Sequence, residues 1–103
     1  MYIVIFVTAS NKKEATKIAK GLVENRLAAC VNIIDKIGSF FRWKGKVDQS
    51  GEALLIIKSK KNKFPRIIKM VKSLHSYEVP EIIALPVLSG YKPYLRWIDD
   101  SIG

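Results

Sequence analysis

At 103 residues, with 49% apolar and 26% charged side chains, the chain is long enough for one domain with a modest core and too short for two. No apolar run nears the roughly 20 residues of a membrane span, and the first apolar stretch lacks the basic flank and cleavage site of a signal peptide. A single cysteine excludes an internal disulfide, which fits a reducing compartment, and no membrane partner is expected. The net charge of +9 raises nucleic acid as a partner, but the lysines are scattered and no basic run exceeds two residues. No specific nucleic-acid binding is therefore expected.

Taken in order, YIVIFV (2–7) and Thr8 read as a buried strand. Residues 11–25 read as a helix, because Ala15, Ile18, Ala19, Leu22 and Val23 recur at helical spacing. Asn11, with Glu14 three residues later, is its cap signature. LAACVNII (27–34) is a second strand. SFFRWKGKV (39–47) reads as strand broken by a turn or bulge at Gly45. EALLIIK (52–58) is a strand. Residues 62–75 form a second helix, with Asn62 as its cap and Pro65 in its first turn. EIIALPVL (81–88) is a strand whose Pro86 marks an edge or a bulge. KPYLRWIDD (92–100) closes the chain as a short helix.

This order predicts an α+β, ferredoxin-like βαββαβ fold over residues 1–103, with a hairpin and a C-terminal helix. One face of its sheet takes both crossover helices, and the other should then alternate into polar residues. It does not: Leu54 and Ile56 point one way, Leu55 and Ile57 the other, and the first and last strands are apolar on both faces. A lone chain would leave that second face in water, so burial against identical subunits is expected.

Five segments, ENRLAACVNI (24–33), SFFRWKGKV (39–47), EALLIIK (52–58), LHSYEVPEI (74–82) and YLRWI (94–98), resemble in order and spacing the signature segments of the CutA family, the divalent-cation tolerance proteins. The resemblance implies a ferredoxin-like subunit in a homotrimer, similar in architecture to the P-II signalling proteins. It also implies a cytoplasmic protein linked to tolerance of copper and other divalent metals, with no catalysed reaction. Three positions depart from the family pattern. Ser76 stands where the histidine motif has proline, Phe41 where the hairpin has tyrosine, and Thr8-Ala9-Ser10 where a Thr-Phe-Pro-like turn follows the first strand.

His75 is the chain's one histidine and falls at the end of the second helix, where it could bond the last carbonyls or ligate copper or zinc, with Glu78 or Glu81 beside it. Cys30 reads as a small buried apolar residue or a soft-metal ligand. One His and one Cys cannot close a tetrahedral site within one chain, so a metal site on His75, Cys30 and Glu78 would be weak, open or shared between subunits. No obligatory cofactor is expected beyond copper or another divalent cation. An alternative is a P-II-like cleft for a small anion, built from Trp43, Lys58 and Tyr77, although Lys58 pairs more simply with Glu52. Trp43 and Phe41 suit a hairpin that reaches over a neighbouring subunit. No nucleophile context surrounds His75, no Gly-rich phosphate loop occurs, and Glu78 and Glu81 should diverge on an extended segment, so no enzyme activity is expected.

Overall fold

The computed structural model describes residues 1–103 and contains four strands and three helices. They are β1 (Tyr2–Ala9), α1 (Lys12–Glu24), β2 (Cys30–Trp43), β3 (Lys46–Lys60), α2 (Phe64–Leu74), β4 (Ile82–Pro86) and α3 (Lys92–Ile102). The strands form one antiparallel sheet in the order β2-β3-β1-β4, the ferredoxin-like topology. Strict alternation along β1 and β3 buries Ile3, Ile5, Val7 and Ala9 with Ala53, Leu55 and Ile57 beneath α1 and α2. Ile18 and Leu22 of α1 and Ile67 and Val71 of α2 complete that core. Val23, expected on the buried stripe of α1, is exposed, because the stripe is narrower than its apolar spacing suggests.

The cap of α1 forms as expected: Asn11 Oδ1 accepts from the Glu14 amide at 2.8 Å. The cap of α2 does not. Residues Lys61–Lys63 coil into a 3-10 turn that holds Asn62, so α2 begins after Lys63 without a side-chain cap, and Pro65 fits its first turn.

The sequence segments 27–34 and 39–47 are not separate strands. β2 runs through Asp35–Lys36 by a bulge, at which Lys36 takes φ 58°, and continues to Trp43. Lys44 and Gly45, at φ 51° and 78°, make the tight two-residue turn into β3. Fourteen residues at about 3.3 Å each make a hairpin longer than the sheet is wide. The molecule is accordingly drawn out to 44 × 26 × 23 Å, with a radius of gyration of 14.1 Å against about 13 Å for a compact chain of this length. From Phe40 to Val47 every residue of the hairpin is exposed.

The second sheet face is open, as the sequence predicts. Ile83, Phe6, Ile56 and Asn32 lie in one row across it, flanked by Val4, Leu54, Ile34 and Leu85. Ile83, Leu85 and Ile34 are each about half exposed. Helix α3 covers only one end, where Ile98 and Ile102 pack on Ala29, Tyr2 and Leu95. Asp99 fastens it there by accepting from the Tyr2 hydroxyl at 2.7 Å and pairing with Lys60 at 2.8 Å.

Candidate functional site

At the other end of the open face, the connector from α2 to β4 crosses the end of β1. The anchor is His75. Its side chain is fully buried, Nε2 lies 2.7 Å from the Thr8 carbonyl, and Nδ1 lies 3.0 Å from the Tyr77 amide. A carbonyl only accepts and an amide only donates, so the ring is neutral with its proton on Nε2. Both nitrogens are engaged, and a metal ion on either would have to displace one of these bonds. His75 therefore ties the end of α2 to β1, whereas its position suggested capping of its own helix's carbonyls. His75→Ala would leave the Thr8 carbonyl and the Tyr77 amide without their partner and should lower stability by about 2 kcal/mol in a denaturant titration.

Glu14 secures the same connector from α1. Its Oε2 accepts from the Ser10 amide and hydroxyl at 2.8 and 2.9 Å, and its Oε1 accepts from the Ser76 amide at 2.6 Å. Burial pushes its carboxyl up, but the hydrogen bonds from Ser10 and Ser76 outweigh it and hold the pKa at about 2. The cap signature identified Glu14, but not its reach to Ser76.

So held, the connector bends at residues 76–79 and walls a cavity of about 850 Å³ against the free arm of the β2–β3 hairpin, from Glu52 up to Trp43 beside the turn. Tyr77 reaches down to donate from its hydroxyl to Glu52 Oε2 at 2.9 Å. Burial first, and then this bond, push the phenol up to about 12, so it stays protonated at any physiological pH. Glu52 is 7% exposed; it and Tyr77 make a polar floor. Phe40, Phe41 and Trp43 of the hairpin and Val79 of the connector form apolar walls, with Asp48, Glu78 and Glu81 between them. Four carboxylates thus line the cavity, and no lysine or arginine does.

The sequence candidates divide. Trp43, Tyr77 and Glu78 all line this cavity, Trp43 at the end beside the hairpin turn and Tyr77 at the end floored by Glu52. Glu81 lines the same cavity as Glu78, on a segment that bends at residues 76–79 and is not extended there. Lys58 does not pair with Glu52: the two are six residues apart on one strand, about 20 Å. Lys58 Nζ donates to Asn32 Oδ1 instead. Cys30 lies opposite Lys58 and is half-exposed on the open face, not buried, with Sγ 3.9 Å from Asn32 Oδ1. Cys30 and Lys58 therefore stand apart from the cavity, so within one chain the anion cleft of Trp43, Lys58 and Tyr77 lacks its cation. No three His, Cys, Asp or Glu side chains converge into a ready metal site within the chain. Glu52, Asp48 and Glu14 were not among the sequence candidates, because their partners lie 25 or more residues away or depend on the hairpin's course.

Comparison with known proteins gives this geometry a context. Residues 3–101 match the family model described as CutA1 divalent ion tolerance protein. The protein CutA of Mus musculus is 50% identical over 93 residues, 90% of this chain and 52% of its own length. The divalent-cation tolerance protein CutA of Thermus thermophilus is 45% identical over 100 residues, 97% of each chain. The chain thus spans about half the length of the mouse and human relatives it matches. The solved structure of the Thermus thermophilus protein superposes with a TM-score of 0.98, covering 100% of both chains. That of the Archaeoglobus fulgidus periplasmic divalent cation tolerance protein superposes with 0.97 at 44% identity, again over both chains in full. No helix is long and apolar enough to cross a membrane.

Proposed function

The chain belongs to the CutA1 divalent ion tolerance family, and from that premise we propose that it works as a homotrimer that holds divalent cations weakly in the acidic cavity along its hairpin. The observation that carries this reading is the cavity's charge. In a chain of net charge +9, its lining has four carboxylates and no basic group. Such a cavity favours a cation by Coulomb attraction, in a partly enclosed site where attraction is stronger than in bulk water.

Because no three ligands converge, a cation there keeps part of its water and exchanges readily, or gains ligands from a neighbouring subunit. Oxygen donors do not reverse the general affinity order of divalent ions, so copper binds more tightly than zinc. The uncovered hairpin aromatics and the open sheet face supply the surface for assembly. The family is named for tolerance and not for a reaction, and the cavity contributes no activated nucleophile.

Calorimetric titration with Cu²⁺, Zn²⁺ and a panel of nucleotides tests this reading. The expected result is weak copper binding that falls about tenfold or more in Glu78→Gln/Glu81→Gln, no nucleotide binding, and little change in His75→Ala once its lower stability is allowed for. Copper affinity that survives the double substitution and disappears with His75 or Cys30 would overturn the assignment.

A further inference from the structure

The lysines that are scattered in the sequence are sorted by the fold. Residues 11–25 and 61–75, which form the α1–α2 layer, hold nine basic residues and two acidic ones, and so carry seven of the nine net positive charges. One of the two acids, Glu14, is turned inward onto Ser10 and Ser76. Lys12, Lys13, Lys17 and Lys20 of α1 are exposed, as are Lys61, Arg66, Lys69 and Lys72 of α2 and its preceding turn. None of them is in an ion pair; among the chain's lysines and arginines only Lys60 makes one, with Asp99.

Stability does not explain the arrangement. Lys12 and Lys13 open α1, Lys61 and Lys63 precede α2, and α2 has no acidic residue in its first turn. Cations at helix N-termini oppose the helix dipole and add to the attraction those ends exert on anions. The two helices follow antiparallel strands and so run antiparallel on the sheet. They pack closely where Gly21 lets Leu74 approach: a β-carbon there would lie 3.2 Å from the Leu74 side chain. Their cations thus form two rows. Helix axes in contact lie about 8–10 Å apart, and outward splay brings the rows near the roughly 12 Å width of a DNA major groove, with its phosphates on either side.

We propose that the outer face of the α1–α2 layer docks the phosphate backbone of double-stranded nucleic acid without reading its sequence. No exposed aromatic residue stands on these helices to stack on an unpaired base, and their exposed apolar side chains, Val23 and Pro65, are too small to wedge into a lipid layer. That favours a duplex over a single strand or a membrane. The surface lies on the opposite side of the sheet from the open face, so assembly through the open face leaves it free.

Fluorescence anisotropy with two 20-base-pair DNA duplexes of unrelated sequence, between 50 and 200 mM salt, tests this. The unmodified protein should bind both equally, with log K falling against log salt at a slope of about −4 or steeper. Lys17→Glu/Lys20→Glu and Arg66→Glu/Lys69→Glu should each weaken binding about tenfold or more at 50 mM and flatten the slope by about 2. Lys92→Glu/Arg96→Glu, which changes net charge equally but lies on α3, should stay within about twofold. A slope near zero would overturn the proposal. So would an equal loss in the α3 variant, or binding to phosphatidylserine vesicles at a salt concentration where duplex is not held.

Discussion

Ile56→Asp should turn a trimer into a folded monomer. Ile56 sits at the middle of the open face, between Phe6 on β1 and Asn32 on β2. In an isolated chain it is partly exposed, so an aspartate there can reach water and costs the fold less than it costs an assembly. In an assembly that buries this face, each carboxylate would be desolvated without a partner, at about 3–5 kcal/mol per subunit. That is enough to shift assembly by several orders of magnitude. The variant should keep its far-UV circular dichroism and scatter light as a single 11.7 kDa subunit at micromolar concentration. Its melting temperature should cease to depend on protein concentration. A variant that keeps the mass of the unmodified assembly would place the interface elsewhere.

Acid should act chiefly through Glu14. Its pKa, held at about 2 against the usual 4.5, makes the charged form the one the fold prefers. A depressed carboxyl contributes stability that is fully present above its unfolded value and is lost as pH falls through its folded value. The difference corresponds to about 3 kcal/mol at neutral pH, expected to drain away between roughly pH 5 and pH 2. Glu14→Gln can still offer one oxygen to Ser10 or Ser76, but it cannot accept at both with charge. It should be less stable than the parent by about 2–3 kcal/mol at pH 7, and the gap should close toward pH 2. A gap of the same size at both ends of that range would mean that the substitution acts by packing and not through the charge.

The sequence carried the element order, the Asn11–Glu14 cap, the Gly45 turn and the two-sided apolar strands, because each is a local pattern of spacing or a local backbone requirement. It did not show that β2 is continuous: residues 35–38 fall between the two segments read as strand, and only pairing with β3 reveals a bulge carried through to Trp43. The cavity was legible in part. Tyr77, Glu78 and Trp43 could be named from their segments. Their meeting with Glu52 and Asp48 depends on how far the hairpin runs and on the bend of the connector, neither of which has a periodic signal. The roles of His75 and Glu14 were hidden for a related reason: their partners, Thr8 and Ser76, are more than 60 residues away. Charge sorting was hidden too, since lysines scattered along a chain reach one face only through the helical repeat and the layer order.

The measurement that bears most directly on the proposed function is the mass of the unmodified protein in solution. Multi-angle light scattering at micromolar concentration should give about three times 11.7 kDa, unchanged on tenfold dilution. A soluble species of one subunit mass, with the Ile83–Phe6–Ile56 row open to water, would contradict both the buried sheet face and a cation site completed between subunits.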